Sequence, residues 1–135
     1  MAQIGQVRAC DRYANSRERN LHVHEMALAE EVLQIVQDAA RREGCRRVRA
    51  LWLEIGQLSS VEPEAMRFCF EAVARDSIAA GARLEIVAAA GAAWCDECAE
   101  PVELAAWGEA CPRCGGYRLR VTGGTQMRVR QMEAE

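Results

Sequence analysis

From Glu25 to Glu43 apolar residues recur every three or four positions, and Met26, Ala29, Val32, Leu33, Val36, Ala39 and Ala40 fall on one stripe of a helix. Glu25, Glu30 and Glu31 lie near its start and Arg41 and Arg42 near its end, the distribution a helix dipole favours, and Gly44 is a natural stop. The pattern then changes. Val48 to Ile55 is rich in β-branched and aromatic residues and reads as a strand closed by Gly56. Ser59 and Ser60 open a loop, Pro63 suits a first helical position, and Met66, Phe70 and Val73 share a face of a second helix in a region that ends at Gly81. Arg83 to Val87 reads as a second strand, and Ala88 to Ala93 as a linker of small residues. Thr122, Gly123 and Gly124 read as a hinge, and the alternation in Met127 to Met132 as a last strand that can return to the first sheet. Residues 1–22 are polar, Arg-rich and without either period, and are expected to form a disordered extension.

These elements predict an α/β (α+β) fold: two helices packed on a small mixed β-sheet, with an inserted four-cysteine zinc ribbon. The expected divisions are 23–88 plus 122–135 for the α/β domain and 89–121 for the ribbon, joined by flexible linkers.

Composition narrows the function classes. No apolar run in the 135 residues approaches the roughly 20 needed to span a bilayer, and the first 22 lack the apolar stretch of a secretion signal. A cytoplasmic location without membrane association is expected. A net charge of -3 argues against a chain built to coat nucleic acid. Every basic residue is Arg, which reflects coding bias rather than function.

The 7 cysteines are odd in number and unevenly placed. Cys10 reads as incidental, and Cys45 and Cys69 as small buried hydrophobes. Cys95, Cys98, Cys111 and Cys114 form two Cys-x-x-Cys pairs within WCDEC and CPRCGG, twelve residues apart. A two-residue gap lets both sulfurs of a tight turn face one cation, and two such knuckles supply a closed tetrahedron, the preferred site of structural zinc. Thiolates also accept iron, and CPRCGG resembles a rubredoxin knuckle. The sparse aromatic cover (Trp94, Trp107 and Tyr117) favours zinc. A full set of four thiolates leaves no open position for water or substrate, so the metal is expected to hold shape and not to catalyse.

Only 2 histidines occur, His22 and His24, both just before the first helix. Taken locally they are polar residues at the end of a loop. The segments VHEMALAEEVLQIV, LWLEIGQLSSVEPEAMRFCFEAV, GARLEIV, WCDEC and CPRCGGYRLRVTGGTQMRV, in this order and spacing, resemble the HypA/HybF family of hydrogenase maturation factors, which are nickel metallochaperones. The likeness runs from Val23 to about the end of the chain.

That resemblance implies that His24 is the nickel-binding histidine, with Glu25 the acidic residue beside it, and that Cys95, Cys98, Cys111 and Cys114 are zinc ligands. Glu54 and Glu64 fall in segments typical of the family and are given no metal role. The implied protein is not an enzyme. It transports Ni(II), keeps a structural Zn(II), and has as partners a GTPase, HypB, and the nickel-iron hydrogenase large subunit, with urease maturation proteins in some organisms. A homodimer is open. Val23 stands where the family has its initiator Met, and GTG can encode either, so a natural start at residue 23 is expected. A free amine there, backbone amides and the His24 imidazole would offer Ni(II) four nitrogens. The alternative from another class is a zinc-ribbon nucleic-acid-binding module, with Arg113, Arg118, Arg120, Arg128 and Arg130 as a basic stripe diluted by nearby acids.

Overall fold

The computed structural model describes residues 5–8 and 25–135. Helix α1 (Glu25–Arg42) buries Ala29, Val32, Val36, Ala39 and Ala40, as the stripe predicts. Leu28 is buried with them, whereas Met26, at the edge of the buried arc, stays 39% exposed. Helix α2 (Pro63–Ala74) begins with Pro63 in its first turn, and the Glu62 side chain caps it by accepting a hydrogen bond from the Ala65 N–H at 2.7 Å. Met66, Phe70 and Ala74, four residues apart, form its buried row.

Strand β2 (Val48–Gly56) pairs in parallel with β3 (Arg83–Ala89), and α2 makes the crossover between them. On its other side β2 pairs antiparallel with β7 (Met127–Ala134), so the last strand returns to the first sheet as expected. Strand β1 (Gly5–Arg8) pairs antiparallel with β7 at the outer edge, giving the order β1-β7-β2-β3. The sequence reading places no strand in residues 1–22. Pairing at an open edge satisfies backbone groups without requiring an alternating side-chain pattern, so periodicity carries no signal for it.

One face of this sheet meets both helices. Leu51, Leu53 and Ile55 of β2, Leu84 of β3, and Met127, Val129 and Met132 of β7 join the buried helix residues in a single core. Cys45 and Cys69 pack against that core while only partly buried. The opposite face is polar. Glu54 receives Arg128 Nε at 3.0 Å with Arg130 Nε at 3.8 Å, and the Arg83 guanidinium lies 5.6 Å from the centre of the Trp52 ring.

The chain leaves β3 for a second sheet of order β5-β4-β6, formed by β4 (Gly91–Cys95), β5 (Glu100–Leu104) and β6 (Leu119–Gly123). Here the segment expected to be a linker is mostly strand. Ala88 and Ala89 belong to β3, Ala92 and Ala93 to β4, and Ala90 alone separates the strands. The expected hinge is also packed. The Leu58 N–H donates to the Gly124 carbonyl and the Gly56 N–H to the Gln126 carbonyl, both at 2.8 Å. A Cβ on Gly56 would lie 2.2 Å from the Gly124 oxygen. The Trp107 indole N–H, from the loop after β5, donates to the Leu58 carbonyl at 2.8 Å. Small residues here are the condition for two backbones to touch, and composition alone cannot distinguish that from looseness.

Gly56→Ala is therefore expected to force those backbones apart and to cost roughly 2 kcal/mol. Chemical denaturation of the two proteins reads the difference.

Candidate metal centre

Strand β4 ends on Cys95, the turn through Asp96 and Glu97 brings back Cys98, and β5 starts at Glu100. The second knuckle is the loop Cys111 to Cys114. It is closed by the Gly115 N–H donating to the Cys111 carbonyl at 2.9 Å and the Cys111 N–H to the Gly116 carbonyl at 2.7 Å. Each knuckle turns on a residue with left-handed backbone just after its second cysteine: Ala99 at φ 51° and Gly115 at φ 73°. The two turns are held to each other. The Asp96 N–H donates to the Arg118 carbonyl at 3.0 Å, and ion pairs join Arg120 to Asp96 at 3.2 Å and Arg113 to Glu100 at 2.5 Å.

Four sulfurs converge as a result. All lie within 4.8 Å of one another, with Cys95 and Cys114 Sγ 3.7 Å apart and Cys98 and Cys111 Sγ 3.9 Å apart. A tetrahedron with metal–sulfur bonds of about 2.3 Å has edges of about 3.8 Å, so the donor set fits a thiophilic divalent ion. Backbone amides already point at the sulfurs: those of Cys98, Arg113 and Gly116 donate to Cys95, Cys111 and Cys114 Sγ, each at 3.4 Å. Such bonds favour thiolate over thiol. Cys95 and Cys111 are buried, Cys98 is half-buried and Cys114 is exposed.

Without a metal these groups do not titrate alike. The Cys114 backbone N–H, followed by that of Arg113, draws the Cys111 thiol down to about 7 against the effect of burial. Hydrogen bonding with the Cys114 thiol, then burial, pushes Cys98 up to about 12. A cluster with one thiol titrating that high holds protons at neutral pH, which an incoming ion must displace.

Of the two residues expected to take nickel, Glu25 is the first of α1 and is half-buried, while His24 lies outside the described residues. Cys10 and His22 also lie outside them. Glu54 is engaged by Arg128 and Arg130, and exposed Glu64 sits 3.6 Å from Arg67 Nε. In the expected basic stripe Arg113, Arg120, Arg128 and Arg130 all face carboxylates. Sequence reasoning counts Glu97 only among the acids that dilute the basic stripe, whereas its carboxylate lies 3.6 Å from Cys114 Sγ. Its only sequence signal is its place between the first two cysteines. No helix among the described residues is long and apolar enough to cross a membrane.

The fold and site define a small α+β protein in which a four-cysteine metal-binding ribbon interrupts a sheet covered by two helices. Residues 23–134 match the family model described as "Hydrogenase/urease nickel incorporation, metallochaperone, hypA". The chain is 61% identical over 113 residues to the hydrogenase maturation factor HypA of Albidiferax ferrireducens, covering 84% of this chain and 100% of the relative. Identity to the HypA of Dechloromonas aromatica is 58% over the same length. The chain belongs to the HypA family. Among solved structures, the Ni metallochaperone HypA from Helicobacter pylori superposes with a TM-score of 0.61 at 20% identity, covering 83% of this chain and 97% of that one. A second HypA solution structure gives 0.62. At that identity the likeness concerns the fold alone.

Two outcomes follow from the knuckle geometry. Ala99→Gly removes the cost of a Cβ in left-handed backbone and is expected to stabilise the metal-loaded protein by about 0.5–1 kcal/mol in thermal denaturation. Because protons must leave Cys98 before it can bind an ion, zinc affinity is expected to rise from about pH 6 to 8. Calorimetry in buffers of different ionisation enthalpy will count the protons released.

Proposed function

We propose that the chain is a nickel metallochaperone that binds Ni(II) through His24, with Glu25 beside it, and delivers it during maturation of a nickel-iron hydrogenase. Cys95, Cys98, Cys111 and Cys114 hold a structural Zn(II). The observation that carries the reading is the match of residues 23–134 to a family described by nickel incorporation, with relatives matched over their whole length. The same description names urease, so urease maturation is included as a second destination. A GTPase, HypB, and the hydrogenase large subunit are the proposed partners, and the cytoplasm the proposed location.

The chemistry asked of the protein is ligand exchange. Ni(II) favours nitrogen donors in a square plane. In a chain beginning at residue 23, the terminal amine, backbone amides and the His24 imidazole supply such a set; in the longer chain the amine is tied in a peptide bond and His22 is the nearest substitute. A site with few protein ligands releases its cargo readily to a better-furnished acceptor. Glu25 stands on a helix whose inner face is anchored in the core.

Zinc, when bound, supplies a closed cross-link between the knuckles. The ribbon's own apolar cluster is small, consisting of Ala93, Cys95, Val102, Leu104 and Cys111 with partly buried neighbours, so such a cross-link stabilises it substantially. Trp107 and Tyr117 are 58% and 74% exposed and give the sulfurs little cover, which supports zinc over an electron-carrying iron centre. The carboxylate partners of Arg113, Arg120, Arg128 and Arg130 weaken the nucleic-acid alternative.

The test is nickel titration by calorimetry, with elemental analysis, on a chain starting at residue 23, the 135-residue chain and a His24→Ala variant of each. The short chain is expected to bind nickel most tightly, and His24→Ala to weaken it at least about tenfold with zinc content unchanged, as loss of one ligand in a small set demands. Equal nickel affinity with and without the imidazole defeats the assignment.

A further inference from the structure

The four cysteines of the ribbon are not equivalent. Cys95 and Cys111 are 0% and 2% exposed and Cys98 is half-buried, so solvent reaches the cluster most freely at Cys114. The acids around the knuckles differ as well. Asp96 and Glu100 are each held by an arginine, Arg120 and Arg113 respectively. Glu97, between them, instead places Oε2 3.6 Å from Cys114 Sγ. A thiol can donate to that carboxylate, but a metal-bound thiolate cannot.

Four thiolates around a divalent ion carry a net charge of about -2, so a fifth negative group against one sulfur raises the energy of the loaded state at that corner. The room for this contact comes from Gly116. A Cβ there would lie 2.7 Å from Glu97 Oε2 and 3.4 Å from Cys114 Sγ. Gly116 lacks the positive φ of Gly115, so its backbone does not demand glycine. The missing side chain opens space where the carboxylate sits.

We propose that Glu97 and Cys114 form the exchange corner of the ribbon: Glu97 weakens the Cys114–metal bond, so a thiophilic divalent ion leaves the site, and an outside chelator attacks it, at Cys114. This rests on the proposed zinc occupancy of the four cysteines. The step breaks one metal–sulfur bond and passes that coordination position to an oxygen, nitrogen or sulfur donor of the acceptor; no electrons are transferred. Glu97 acts here as a positioning charge and is not itself a ligand. The ribbon then combines a buried side that holds its shape with one corner through which its ion is exchanged.

The test uses the full chain loaded with zinc and mixed with excess chromophoric chelator at neutral pH. Glu97→Gln, which replaces the repelling oxygen with an amide, is expected to slow zinc release about fivefold, the scale of one charge contact in a solvated site. Gly116→Ala, which pushes the carboxylate away but keeps its charge, is expected to slow release in the same direction. Glu103→Gln, on β5, is expected to leave the rate unchanged. Alkylation of the loaded protein followed by peptide mass analysis is expected to mark Cys114 first among the four ribbon cysteines, and later in Glu97→Gln. Unchanged or faster release in both Glu97→Gln and Gly116→Ala, or first alkylation at another of the four cysteines, overturns the proposal. Failure of the parent chain to load zinc strikes instead at the zinc reading beneath it, so the two failures are distinguishable.

Discussion

The antiparallel pairing of β7 with β2 is the contact on which the rest of the structure depends. It brings together residues about 75 positions apart, as in the partnership of Glu54 with Arg128, and sets β7 between β2 and the edge strand. Met127, Val129, Met132 and Ala134 thereby complete the core under the two helices. The chain end is tied at the same place. The Glu135 carbonyl accepts from the Arg46 and Arg47 N–H groups, and its carboxylate meets Arg49 at 2.5 Å, where that hydrogen bond holds its pKa below the usual range. A pairing so distant in sequence carries a loop-closure cost, and the intervening ribbon must leave β3 and return to β7 at a set spacing.

That constraint explains the character of the junction. Gly56, Gly91 and Gly124 bring three stretches of backbone close enough that side chains have no place between them, and Leu58 fills the space beside Gly91. The indole of Trp107 adds a bond from the loop after β5 to the Leu58 carbonyl. The ribbon is thus docked at its base, while its apolar cluster is too small to substitute for the cross-link its sulfurs can form.

The division of chemistry follows from ligand type. In the proposed function, sulfur-rich, partly buried donors suit an ion that gives shape, and a nitrogen donor before the first helix suits a cation that is handed on. Within the ribbon, burial, amide hydrogen bonds and Arg–carboxylate pairs stabilise the knuckles, with Glu97 at the exposed sulfur as the exception.

Much of this architecture was legible in the chain. The 3.6-residue stripe located α1 and most of its buried residues, though not Leu28, Pro63 marked the start of α2, and the paired knuckles picked out the four sulfurs, because those features depend on local spacing. The family likeness was readable for the same reason, since it resides in short motifs in fixed order. Tertiary structure decided what local spacing cannot express. It turned the alanine- and glycine-rich segments from linkers into a packed junction, paired β1 with a strand more than a hundred residues away, and matched arginines with carboxylates on other segments of the chain. It also set Glu97 against Cys114 across two knuckles. Periodicity reports which way a side chain faces; only the folded chain decides what lies opposite, since energies of contact depend on distances between residues remote in sequence.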